Sequence, residues 1–211
     1  MKKIDYKKEL KHLYQPPARD VVVVEVPAMN FLMIDGAGDP NTTPFFQEAT
    51  EALFAVSYGL KFMIKKGEQP VDYGVMPLEG LWWAEDMAQF SVEQKGDWQW
   101  TLLMMQPELV TPELFAEAVE QVKKKKNPAA LPLMRFEAYG EGQAAQIMHI
   151  GPFSEEGPTV AKVHDFIAAN DGELSGKHHE IYLSDIRKAA PEKWKTVVRQ
   201  PFSWSAGQPV S

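Results

Sequence analysis

The hydrophobic pattern of the chain changes period and then repeats the same changes further on. Residues 29–36 (MNFLMIDG) are a run of large apolar side chains closed by glycine, the pattern of a buried strand. After the loop GDPNTTPF the spacing lengthens. Phe46, Ala49, Leu53, Val56, Leu60 and Met63 recur every three or four residues, which predicts an amphipathic helix. Thr43 is placed as its N-cap and Pro44 in its first turn, and Lys65, Lys66 and Gly67 form its end. Strands are expected over residues 73–79 and 98–106.

The second half follows the same order. Residues 143–151 (QAAQIMHIG) read as a strand ending in glycine. Ser154 is a candidate N-cap, and Val160, Val163 and Ile167 give a shorter helical stripe. Residues 178–185 and 195–200 read as strands. Fragments echo each other, MIDG with MHIG and WTLLMMQP with KTVVRQP. A short apolar strand precedes each half, at 21–25 and 133–139. Between the halves, Thr111 and Pro112 open a helix whose row is Leu114, Ala118 and Val122.

The fold class implied is α+β, a tandem pseudo-twofold duplication of a β-β-α-β-β unit within one domain spanning 1–211. Repeat one covers about 20–107, the linking helix about 111–126 and repeat two about 132–201. Each helix stripe covers one sheet face. The free faces leave an expected ligand groove between the halves, a preferred place for small molecules.

Composition narrows the class. Of 211 residues, 45% are hydrophobic and 24% charged, ordinary for a folded globular chain. With no cysteine, disulfides and thiolate metal sites are ruled out, and a reducing cytoplasm is the expected location. No apolar run approaches the roughly 20 residues that span a bilayer, and MKKIDYKKEL lacks the apolar core of a signal peptide. The net charge of −7 argues against a nucleic-acid surface, and the lysines at 123–126 fit a solvated helix end. P-loop, GxGxxG, HExxH and GxSxG motifs are absent.

The chemistry concentrates in HHEIYLSD, residues 178–185. Alternation along a strand puts Ile181 and Leu183 on one face and His178, Glu180, Tyr182 and Ser184 on the other. Adjacent His178 and His179 point oppositely and cannot easily share an ion, so no metal is expected. In the first repeat, Tyr73, Val75 and Glu79 face the groove, with Val75 matching Glu180. One wall therefore carries the charge. Trp82 and Trp83 follow Glu79, and Trp98 and Trp100 share a strand face. Rings around one carboxylate suit an apolar or cationic planar ligand, and they desolvate the acid, which is expected to raise its pKa.

The segments FLMIDGAGDPN, PLEGLWW and EIYLSDIRKAAPEKWKTVVRQP resemble the GyrI-like small-molecule-binding superfamily, and within it the stand-alone subfamily that includes cyclopropanoid cyclopropyl hydrolases. The resemblance runs from about residue 20 to 200. It implies a tandem repeat with a ligand site, an aromatic cage, and a central glutamate that Glu180 matches. It implies Glu180 and Tyr182 as catalytic residues, Glu180 deprotonating a water and the Tyr182 hydroxyl stabilising the oxyanion. It implies Tyr73, Trp82, Trp83 and Trp100 as the aromatic cage, and strand alternation adds Glu79 and His178 to the binding set. The activity implied is opening of a strained cyclopropane by water, with no cofactor and a hydrophobic or cationic aromatic small molecule as partner. Sequestration of drugs without chemistry, and an interaction that protects gyrase, remain open beside it. No nucleic-acid or membrane partner is expected, and the oligomeric state is left open.

Overall fold

The computed structural model describes residues 1–68, 70–84 and 98–205. Residues 206–211 lie outside the described residues. The chain opens with β1 (Lys2–Ile4), α1 (Tyr6–Glu9) and α2 (Lys11–Tyr14), followed by β2 (Val22–Val26), β3 (Met29–Ala37) and α3 (Pro44–Lys66). Then come β4 (Val71–Tyr73), β5 (Leu78–Trp83), β6 (Gln99–Gln106), α4 (Pro112–Lys125), β7 (Arg135–Tyr139) and β8 (Gly142–Ile150). The last elements are α5 (Gly157–Ala169), β9 (Gly172–Leu174), β10 (His178–Tyr182) and β11 (Lys195–Trp204).

These elements form two compact units. The first comprises residues 1–9 and 29–139. Its antiparallel sheet runs β5-β6-β3-β7, with Leu32 opposite Met104 and Phe136. Helix α3 packs on this sheet through Ala49, Ala52, Leu53, Val56, Leu60 and Ile64. The stripe holds as expected until its last turn, where Ile64 rather than Met63 turns inward. Helix α4 is capped by the Thr111 hydroxyl accepting from Leu114 N–H at 3.3 Å. It lies against α3 with Ala118 and Val122 beside Gly59. The predicted strand at 73–79 is broken in two, because Gly74 and Pro77 fall in its middle. Trp82 and Trp83 therefore belong to a strand instead of following one.

The second unit comprises residues 10–28 and 140–211. Its antiparallel sheet runs β2-β8-β11-β10, and β9 pairs with the end of β11. Helix α5 closes a core of Ala145, Ile147, Val163, Ile167, Val198 and Phe202. Two assignments differ from the sequence reading. The leading strands are exchanged: β2 pairs with β8 in the second unit, and β7 pairs with β3 in the first. Each repeat in the sequence thus lacks the edge strand written immediately before it. The helix start also moves. Ser154 lies in a single tight turn, residues 153–155, and α5 begins at Gly157 with Glu156 at the N-cap position. Pro158, which has no N–H to offer a preceding turn, sets that start.

Candidate functional site

Strand β10 runs beside β11 with Glu180 opposite Val198 and Tyr182 opposite Thr196. The two-residue period places His178, Glu180 and Tyr182 on one face, and their side chains meet there. His178 Nε2 lies 3.2 Å from Glu180 Oε1, and the Tyr182 hydroxyl donates to Glu180 Oε2 at 2.8 Å. Each carboxylate oxygen is thereby fixed from its own side. The Glu180 side chain remains 18% exposed. Ile181 points to the opposite face and is fully buried. The strand ends at Tyr182, and Ser184 beyond it accepts a hydrogen bond from Lys195 N–H.

Rings stand beside this carboxylate within the same unit. Phe153 meets Tyr182 edge-on at 5.6 Å between centroids and Trp194 at 5.1 Å. The Trp194 indole N–H is anchored on the Ala189 carbonyl at 2.8 Å. Phe153 is 40% exposed, so the wall has an open side. Neither Phe153 nor Trp194 was singled out by the sequence. Their signal was the position of an aromatic in GPFSEEGP and in PEKW, next to turns whose direction only the fold reveals.

A second carboxyl completes the site. Glu156 is buried, its Oε1 has no hydrogen-bond partner, and the group lies within hydrogen-bonding reach of Glu180. The Thr196 hydroxyl stands beside it on β11, buried and without good hydrogen-bond geometry to any partner. Burial first, and then the charge of Glu180, push the Glu156 carboxyl up to about 9. Burial also pushes Glu180 up. The hydrogen bonds from His178 and Tyr182, with the histidine charges, outweigh it and leave Glu180 below its ordinary value. This corrects the expectation that surrounding rings would raise Glu180. The raised group is its neighbour, because at Glu156 burial and the charge of Glu180 outweigh the one hydroxyl beside it, that of Thr196. The two titrate as a pair that holds one proton near neutral pH.

On the opposite face of β10, His179 Nδ1 contacts Glu141 Oε2 at 2.9 Å, and Arg199 Nη1 donates to the same oxygen at 3.0 Å. Burial pushes Glu141 up, but His179 and Arg199 outweigh it and hold the group at about 2. The adjacent histidines thus face different carboxylates, as the alternation requires. Among the described residues no cluster of three metal-ligating side chains occurs. His149 is satisfied structurally, by Thr159 at 2.9 Å and the Pro152 carbonyl at 3.2 Å.

The other candidates lie in the first unit. Trp100 is fully buried, stacked on Phe45 at 5.8 Å and edge-on to Phe46 at 5.3 Å. Its indole N–H donates to the Gly38 carbonyl at 3.3 Å. Trp82 stacks on Phe46 at 6.0 Å and meets Trp98 at 5.5 Å. These rings form one packed cluster, in which Trp100 is a core side chain. Trp83 is half-buried on β5, and Glu79 is buried on the same strand. Tyr73 is buried against Tyr6 at 6.1 Å, and its hydroxyl has no hydrogen-bond partner. Burial, then the neighbouring Tyr6, raise its pKa.

Comparison with known proteins bears on the fold and the family. Residues 19–202 match the family model described as the GyrI-like small molecule binding domain. An uncharacterised conserved protein from Listeria innocua is 43% identical, with a TM-score of 0.87 over 95% of this chain and 100% of that one. A hydrolase from Listeria innocua is 40% identical, with a TM-score of 0.81 over 95% of this chain and 100% of that one. The C-terminal domain of EcmrR shares the fold at 12% identity, with a TM-score of 0.57 over 88% of this chain and 98% of that one. No functionally curated protein matches the chain. No helix among the described residues is long and apolar enough to cross a membrane. An α+β fold and a family match over most of the length agree: the chain belongs to the GyrI-like small-molecule-binding domain family.

Proposed function

We propose that the protein binds hydrophobic aromatic molecules at Glu180 and hydrolyses the cyclopropane of cyclopropanoid alkylating agents. The observation that carries this reading is the Glu180 carboxylate, partly exposed, fixed by His178 and Tyr182, and flanked by Phe153 and Trp194. The similarity to a hydrolase from Listeria innocua supports it.

In the proposed reaction Glu180 takes a proton from a bound water. The water oxygen bonds to the cyclopropane methylene, and the strained carbon–carbon bond breaks. Its electron pair moves through the dienone to the carbonyl oxygen, which becomes a phenolate and takes a proton from solvent, while Glu180 returns to solvent the proton it took. Release of ring strain and aromatisation drive the step, so orientation and one fixed base suffice. Tyr182 acts here as a positioning residue, since its proton is directed at Glu180. Tyr73, Trp82, Trp83 and Trp100 remain the cage that the resemblance implies, while the rings placed beside Glu180 are Phe153 and Trp194. For Trp100 that role is support of neighbouring rings, because its own ring is fully buried.

An ionised carboxylate beside rings also suits a lipophilic cation, which favours sequestration as the second reading. Incubation with excess cyclopropanoid substrate separates them. Many turnovers per protein are expected, with Glu180→Gln binding the substrate but leaving it intact. Depletion that stops at one equivalent indicates sequestration, and hydrolysis by the glutamine variant at the wild-type rate removes Glu180 as the base.

A further inference from the structure

We propose that Glu156 sets the charge class of ligand this site accepts, keeping its proton beside a neutral molecule and releasing it to solvent when a cation docks against Glu180. The inference rests on the reading of Glu180 as the ligand-facing carboxylate. It adds that the site carries an adjustable charge.

The geometry is specific. Glu156 is 6% exposed and its Oε1 has no hydrogen-bond partner. Its carboxyl lies next to that of Glu180 and beside the Thr196 hydroxyl. The charge that acts on Glu156 is that of Glu180, and the histidine beside the pair is directed at Glu180 instead. The titratable groups around it confirm this element by element. From β10 come Glu180, which is anionic, and His178 and Tyr182, which both contact Glu180. From β8 comes His149, whose two nitrogens are taken by Thr159 and the Pro152 carbonyl. On its own turn lies Glu155, with Oε2 near Gly151. On α5, His164 interacts with His178 and Asp165, and burial lowers its pKa. The nearest formal charge to Glu156 is therefore negative. A ligand that brings a positive charge to the pair supplies what is missing.

The consequence is proton linkage. Without ligand, Glu156 holds its proton up to about pH 9. A cation roughly 4–5 Å away in a partly buried site lowers that by about two to three pH units. In the window between, each cation bound expels one proton, so affinity rises about tenfold per pH unit. A neutral ligand expels none.

Methyltriphenylphosphonium and triphenylphosphine oxide, nearly equal in shape and different in charge, provide the test. Calorimetry in two buffers of different ionisation enthalpy counts protons on the wild-type protein. Close to one proton released per phosphonium is expected, none per phosphine oxide, and a phosphonium Kd that falls about ten- to twentyfold from pH 7 to pH 8.5. Glu156→Gln, which keeps the shape and cannot ionise, is expected to bind phosphonium with a flat pH profile. Phosphonium binding with no proton released, or a glutamine variant that retains the slope, overturns the proposal and leaves the binding site standing. If neither compound binds, the site itself is refuted. The proton count is read on wild-type protein, so it decides the matter even if the variant fails to fold.

Discussion

Replacing Glu141 by glutamine tests what fixes β10 in place. Glu141 is 1% exposed on its side chain, and one oxygen receives both His179 Nδ1 and Arg199 Nη1. Arg199 continues through Nε to Gln146 Oε1 at 2.9 Å and through Nη2 to the Leu13 carbonyl at 2.7 Å. Gln146 in turn donates to the His12 carbonyl at 2.6 Å. The network thus ties residues 12–13, β8, β11 and β10 together beneath the face that presents Glu180. The Glu141 carboxyl is held at about 2 in the folded chain against an ordinary 4.5. That depression corresponds to about 3 kcal/mol of stability. Because the folded value is the lower one, the contribution is complete above about pH 4.5 and disappears as the pH falls toward 2. Glu141→Gln leaves a guanidinium buried without its counter-charge, and a loss of about 3–5 kcal/mol is expected at pH 7. Urea unfolding at pH 7 and pH 3 measures it. The gap between wild type and variant is expected to narrow by roughly 2 kcal/mol at pH 3, since the wild type alone loses this carboxylate. Other carboxylates titrate in both proteins and cancel in the difference. A gap below about 1 kcal/mol at pH 7, or one that stays constant with pH, refutes the assignment.

Tyr182→Phe deletes the hydroxyl that donates to Glu180 Oε2. Loss of one charge-assisted hydrogen bond of about 1.5 kcal/mol is expected to lower cyclopropanoid hydrolysis by about tenfold, with little change in stability. Steady-state kinetics check it, and a loss as large as that of Glu180→Gln contradicts a positioning role. Gly36→Ala places a methyl group where atoms of the Trp100 ring lie only 2.1 to 2.5 Å away. Because Trp100 is wedged between Phe45 and Phe46, a loss of about 1–3 kcal/mol is expected, with a changed near-ultraviolet circular dichroism spectrum. Stability within about 0.5 kcal/mol of wild type disproves the close packing.

What was legible in the sequence was whatever backbone geometry fixes locally. The three- and four-residue spacing from Phe46 to Leu60 gave α3, because a helix repeats every 3.6 residues whatever it packs on. The two-residue period gave the shared face of His178, Glu180 and Tyr182 for the same reason. The exchange of β2 and β7 was not legible. Both are five-residue strands beside a longer one, and nothing in their pattern says which sheet they complete. Their partners are chosen by pairing across about 120 residues in one case and about 100 in the other. Ser154 was a plausible cap, but Pro158 ruled the position of the first turn.

Charge was the least legible property of all, and the reason is physical. The sequence identifies Glu180 as a carboxyl on a face with histidine and tyrosine, but not whether those side chains donate to it. In the fold they do, and Glu180 is lowered. Glu156 was invisible as a site residue because it lies 24 positions earlier, in a turn that reads as the start of a helix. It becomes chemically important only when β10 places a second carboxylate beside it. A carboxyl's pKa is set by its donors and its neighbours' charges, and both are decided by contacts between elements far apart in the chain. The acid that holds the proton in this site is therefore determined by where α5 starts and by the carboxylate that β10 sets beside it, a contact between segments 24 positions apart.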